Sequence, residues 1–166
     1  MKRNLQDLTP QEVLSLAIGI ERSNYHSLKA FSQFFEGRDD YDIAFRFREL
    51  ANEELDHEAA LKRRYHEMFG EEAPETVDFD FEDGEKTALL NPFAGQDRSY
   101  FDKARKIYEL ALIGENRARE FYQKAAETVA QPELSLLFKQ LAIMEDNHGG
   151  WLEEKLAKDG PMGSGG

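Results

Sequence analysis

Two short stretches, Glu54-Leu55-Asp56-His57 and Glu145-Asp146-Asn147-His148, share the pattern Glu-x-x-His and decide how the rest of the chain reads. On an α-helix, positions i and i+3 lie about 60° apart on one face, so carboxylate and imidazole project together. Both pairs also fall on apolar stripes of helical spacing. The first stripe is Phe47, Leu50, Ala51, Glu54, His57, Leu61 and Tyr65. The second is Leu134, Phe138, Leu141, Glu145, His148, Leu152 and Leu156. A charge on a core stripe needs a partner, and a metal ion is one of the few groups that satisfies several carboxylates at once.

Two further helical stripes are each interrupted by a single carboxylate. One reads Leu14, Ala17, Glu21, Leu28, Phe31, Phe35; the other reads Ala104, Tyr108, Ala111, Glu115, Ala118, Tyr122, Ala125. The punctuation between stripes sets the helix ends. Thr9-Pro10-Gln11-Glu12 is a capping box with Pro at the first helical position. Gly37 ends the first helix, and Asp39 or Asp40 is expected to cap the second, which runs from about Tyr41 to Phe69 and stops at Gly70. Ser99 with Asp102 starts a third helix to about Val129, and Pro132 opens a fourth that reaches about Lys158.

The two short links make antiparallel neighbours of helices one and two, and of three and four. Residues 70–98 carry Pro74, Gly84, Pro92 and Gly95 around the acidic run Val77-Asp78-Phe79-Asp80-Phe81-Glu82-Asp83, and read as a long crossover. The expected fold is all-α: an antiparallel four-helix bundle over residues 1–159. A Gly-rich tail, 160–166, is expected to be disordered.

The halves repeat. Glu21 matches Glu115 at an offset of 94, while Phe47, Leu50, Ala51, Glu54 and His57 match Phe138, Leu141, Ala142, Glu145 and His148 at an offset of 91. The repeat also chooses between Glu53 and Glu54. Glu54 pairs with Glu145, whereas Glu53 pairs with Met144, so Glu54 faces inward and Glu53 is left outside. Glu21, Glu54, Glu115 and Glu145 lie near their helix midpoints, which share one level in an antiparallel bundle. Four carboxylates and two imidazoles therefore converge. Left bare, the carboxylates repel one another, and some must take up protons with raised pKa values. Two divalent ions neutralise them; carboxylate and imidazole donors suit iron or manganese, with zinc an opportunistic substitute.

Composition narrows the chemistry further. The chain has 166 residues, no Cys and a formal net charge of −12. Without Cys there are no disulfides, thiolate metal sites or thiol catalysis. The acidic balance argues against nucleic acid as a partner and favours the arrival of cations. No apolar run reaches the ~20 residues that span a bilayer, so neither a membrane partner nor a secretory segment is expected, and a cytoplasmic location is the default.

The text Glu53-Glu54-Leu55-Asp56-His57-Glu58, followed by Met68-Phe69-Gly70, resembles the second helix of rubrerythrins and its exit. Two lone Glu with two Glu-x-x-His across a long crossover resemble the ferritin-like di-iron superfamily over residues 9–158. The resemblance implies that Glu54 and Glu145 bridge two iron ions, that Glu21 and His57 complete one, and that Glu115 and His148 complete the other. It implies a non-haem di-iron oxidoreductase acting on Fe(II) with O2 or hydrogen peroxide, in a homodimer or larger homo-oligomer. The alternatives are an iron storage or delivery module, or a structural bundle with an incidental metal. Rubrerythrins carry a further Glu where this chain has Ala118, and usually a Cys-rich domain that is missing here. The symmetric set of six is similar to that of bacterioferritin. Bacterioferritin, however, puts its haem-ligating Met where this chain has Leu55, so no haem is expected.

Among the remaining candidates, Tyr122 lies two turns beyond Glu115 and is the expected outer partner of the cluster. Tyr25 and Tyr108 read as packing residues, His26 and His66 as surface residues, and Trp151 as an edge of the core or a subunit interface.

Overall fold

The structure, a computed structural model, describes residues 4–74 and 99–158. A short 3-10 turn, Leu5–Asp7, precedes four helices: α1 (Pro10–Glu36), α2 (Tyr41–Phe69), α3 (Tyr100–Thr128) and α4 (Pro132–Lys158). The acidic run 77–83, the rest of the connection up to residue 98 and the 160–166 tail lie outside the described residues.

Local chemistry sets the helix ends. Thr9 Oγ1 accepts from the Glu12 amide at 3.2 Å, and the Glu12 carboxylate accepts from the Thr9 amide at 2.8 Å. Together they satisfy two of the orphan donors at the start of α1. Ser99 caps α3 by accepting from the Asp102 amide. Gly70 ends α2 in the left-handed region, φ 71°, with its amide on the His66 carbonyl at 2.8 Å. A side chain at that φ would be strained.

The start of α2 departs from expectation. Asp40 holds the cap position, but its side chain makes no capping bond. Its carboxylate instead accepts from the Tyr100 hydroxyl at 2.7 Å. Asp39, at φ 60°, accepts from the Tyr41 hydroxyl at 2.9 Å. Asp tolerates the left-handed region better than most residues, so the tight α1–α2 turn forms without glycine there.

The Tyr100–Asp40 bond also settles the topology. It sets the start of α3 beside the start of α2, where the Tyr100 ring stacks on Phe34 at 6.1 Å. Helix α2 has 29 residues, roughly 43 Å at 1.5 Å per residue. The start of α3 therefore lies a full helix length from the point where α2 ends. Helix α1 packs on α2 and α3, α3 packs on α4, and side chains of α2 meet those of α4.

Two apolar clusters fill the interior. One gathers Leu14, Ala17, Leu61, Tyr65, Tyr122, Leu134 and Phe138. The other gathers Leu28, Phe35, Phe47, Leu50, Ala111, Tyr108 and Leu152. On every helix the cluster residues lie on either side of the inward Glu, so the polar layer is sandwiched between them. The second cluster is an aromatic stack. Phe47 lies parallel to Phe35 at 5.4 Å and to Tyr108 at 6.1 Å, with Trp151 edge-on at 5.4 Å. Trp151 is thus an edge of the core, and Tyr108 packs as expected. Phe47 touches all four helices through these rings and Phe31. Phe47→Ala is expected to lower the unfolding free energy by about 3–5 kcal/mol in denaturant melts, because a fully buried ring leaves a cavity. A loss below about 1 kcal/mol would show that the stack can collapse around the gap and does not hold this end together.

Candidate metal centre

Glu21 on α1, Glu54 and His57 on α2, Glu115 on α3, and Glu145 and His148 on α4 are all buried and all converge. Their ligand atoms form two groups, each within 4.8 Å: Glu21, Glu54, His57 and Glu145 in one, and Glu54, Glu115, Glu145 and His148 in the other. Glu54 and Glu145 belong to both.

The shared carboxylates divide their oxygens between the groups. Glu54 Oε2 lies 3.7 Å from His57 Nδ1, and its Oε1 lies 2.9 Å from His148 Nδ1. Glu145 Oε1 lies 3.2 Å from His57 Nδ1, and its Oε2 lies 3.6 Å from His148 Nδ1. The lone Glu residues close the ends: Glu21 Oε2 is 3.5 Å from His57 Nδ1, and Glu115 Oε2 is 3.4 Å from His148 Nδ1. The two imidazole rings face each other nearly parallel, 6.0 Å apart at 9°.

Whether these residues fit a cation is tested by their unmet valences. Among the described residues, eight buried side-chain polar atoms lack a hydrogen-bond partner. Six of them are here: Glu21 Oε2, both Glu54 oxygens, Glu115 Oε2, Glu145 Oε2 and His148 Nδ1. Buried acceptors are normally satisfied, so a cluster of orphaned lone pairs aimed at one volume fits a bound cation. With oxygen and imidazole donors and no sulfur, iron is compatible.

The titration behaviour follows from this crowding. Burial, then the neighbouring Glu54 carboxyl, push the Glu21 pKa well up. Burial and Glu145 do the same to Glu115. Burial pulls His57 down, but bonds to Glu145, Glu21 and Glu54 outweigh it and push its pKa up to about 12. His148 is likewise raised against its burial, by Glu115, Glu145 and Glu54. Glu145 moves the other way. Burial would raise it, yet bonds from Glu115, His148 and His57 carry it below the ordinary value. Both imidazoles are thus pushed toward their charged form by the carboxylates around them.

Tyr122 stands where expected: its hydroxyl donates to Glu21 Oε1. Burial, then the charge of Glu21, raise its pKa, so the phenol keeps its proton. His26 and His66 are exposed, as expected of surface residues. Tyr25 rests against His26 and beneath Lys29 of its own helix.

Two features escaped the sequence. Glu53, assigned to the outside, places Oε2 2.5 Å from His148 Nε2 while its side chain stays 47% exposed. It lies about 100° round the helix from Glu54, a turn that carries it to the flank facing α4. Beside His57, buried Glu58 accepts from Arg22 at 2.8 Å and from Lys62 at 2.7 Å. Burial opposes this charge, but the two cations lower its pKa. The Glu58–Lys62 spacing of four residues was the legible half of that signal.

Comparison with known proteins agrees with the geometry. Residues 106–162, which carry Glu115, Glu145 and His148, match the family model described as Rubrerythrin. No curated protein sequence matches the chain. Among solved structures, a hypothetical protein from Pyrococcus furiosus superposes with a TM-score of 0.70 at 24% identity, over 94% of this chain and 93% of that one. An uncharacterized conserved protein from Magnetospirillum magnetotacticum superposes with a TM-score of 0.66, also at 24% identity, over 91% of this chain and 95% of that one. These likenesses carry the fold. The chain is thus an all-α four-helix protein whose residues 106–162 match the Rubrerythrin family model.

Proposed function

We propose that the chain is a non-haem di-iron oxidoreductase that oxidises Fe(II) with O2 or hydrogen peroxide. The observation that carries this reading is the pair of shared carboxylates. Glu54 and Glu145 each turn one oxygen toward each imidazole, as spanning two cations requires. In this reading Glu21 and His57 complete one position, and Glu115 and His148 complete the other. Bound iron would supply the electrons that reduce the oxidant; manganese or zinc would occupy the same positions.

The chain's own residues have four tasks. The carboxylates concentrate negative charge that favours a higher-valent cation. The imidazoles give up protons when cations arrive. The flanking apolar clusters exclude water, which strengthens each charge interaction inside. Tyr122 keeps a proton at Glu21 Oε1, on the edge of the His57 group. Ala118 is fully buried where rubrerythrins place a further carboxylate. That difference supports O2-dependent Fe(II) oxidation over fast peroxide reduction.

Anaerobic titration should saturate near two Fe(II) per chain, and His57→Ala or His148→Ala should each lose about one, because ligation requires the deprotonated imidazole. Admitting O2 should then raise the near-ultraviolet absorbance of Fe(III) within minutes. In stopped-flow, peroxide much faster than O2 would reverse the order of oxidants. A native chain that takes up no Fe(II) would end the reading.

The pKa shifts give a second test. Glu21 and Glu115 are raised, so their stabilising contribution is present below the unfolded value of 4.5 and fades as pH rises above it. His57 behaves alike from 6.5 up to about 12. Glu145 is lowered, so its contribution is lost as pH falls below 4.5. The metal-free chain should therefore melt highest near pH 4.5 and lose stability as pH rises through neutral toward 12. A cation bound to the folded state alone should add about 3–4 kcal/mol at a hundred to a thousand times its Kd. Loading at pH 7 should release at least the two imidazole protons into weak buffer. A metal-free melting temperature that climbs from pH 6 to 9 contradicts this charge pattern.

A further inference from the structure

The inner ligands of the two halves repeat, but their outer partners do not. His148 Nε2 meets the Glu53 carboxylate at 2.5 Å. The repeat places Met144 where Glu53 stands, beside the other Glu-x-x-His. Glu21 Oε1 receives the Tyr122 hydroxyl. The repeat places Leu28, a residue of the apolar cluster, where Tyr122 stands. One half therefore has a carboxylate behind its imidazole, and the other has a phenol on its lone carboxylate.

These partners act in opposite directions. Once a cation displaces the inward proton, Glu53 would hold the Nε2 proton of His148 and leave the Nδ1 lone pair turned to the cluster. Nδ1 is indeed the buried nitrogen without a hydrogen-bond partner. A carboxylate behind an imidazole fixes the tautomer, holds the ring and raises the basicity of the inward nitrogen. A phenol that donates to a carboxylate withdraws charge from it and makes it a weaker donor to a cation.

Resting on the two-cation reading above, we propose that Glu53 is a positioning residue that makes the His148 group the tighter and first-filled of two unequal cation positions. Glu53 does not touch the cation; it acts through the ring.

The test is calorimetric titration of the full chain with Co(II) under anaerobic conditions. The native protein should bind in two resolved steps. Glu53→Ala should weaken the tight step tenfold to a hundredfold and leave the weak step in place. Glu53→Gln keeps the shape and an oxygen that accepts the Nε2 proton, so it should recover part of the loss. In a His57→Ala background the surviving step should be the tight one, still sensitive to Glu53. Met144→Glu should tighten the weak step, which a merely structural role for Glu53 does not predict. Circular dichroism checks folding, and Glu53→Gln decides the matter if the Ala variant unfolds. Two equal steps in the native chain, or a Glu53 variant that weakens both or neither, overturn the proposal and leave the two-cation site standing. No Co(II) uptake by the native chain overturns both.

Discussion

Burying six ionisable side chains in one thin layer is the constraint on which this structure depends. Glu21, Glu54, Glu115 and Glu145 are each exposed by no more than 1%. An isolated charge so deep costs several kcal/mol, and a cluster of like charges costs more. The chain lowers the cost by alternation. The imidazoles, pushed toward their charged form, stand between carboxylates, while burial favours the protonated forms of Glu21 and Glu115 and the surrounding bonds favour the ionised form of Glu145. What remains is offset by the apolar layers on either side, whose burial is the main source of folding free energy. The layer can exist only because four helices present their midpoints at one height, so helix length and the short links within each hairpin answer to it.

The repeat is faithful where side chains point inward and loose where they point sideways. At the flank of His57, Arg22 and Lys62 hold Glu58. At the matched flank of His148, Asn116 stands in place of Arg22 and Gly149 in place of Glu58. A Cβ on Gly149 would lie 3.6 Å from Asn116 Oδ1 and 3.6 Å from a Leu112 methyl, an ordinary contact. Charge latches the first hairpin; close packing of small groups joins the second. Divergence has room on the flanks because a change there leaves the six inward side chains in place.

This contrast explains what could be read from the chain and what could not. The helix ends at Thr9, Gly70, Ser99 and Pro132 were legible because capping is local chemistry within four residues. The six inward residues were legible because periodicity and the repeat agree on them, and Tyr122 because it lies two turns from Glu115 on the same stripe. The sequence reading treated exposure and contact as alternatives, and Glu53 is both half-exposed and bonded to His148. Asp39 and Asp40 look like caps, yet Tyr41, two residues on, and Tyr100, from α3, claim their carboxylates first. The direction of the Glu145 shift needed distances to two imidazoles on different helices, which no one-dimensional pattern contains.

The division of donors between hairpins has a consequence for assembly. The α1–α2 hairpin owns Glu21, Glu54 and His57; the α3–α4 hairpin owns Glu115, Glu145 and His148. Each group of four takes three donors from one hairpin and one from across the interface, Glu145 for the first and Glu54 for the second. Neither hairpin completes a coordination set by itself, however well its helices form. A chain severed between residues 74 and 99 would yield two fragments that are incomplete in complementary ways. Each group of four thus depends on tertiary docking and not on secondary structure alone: the polar layer works as a lock whose two halves are incomplete apart.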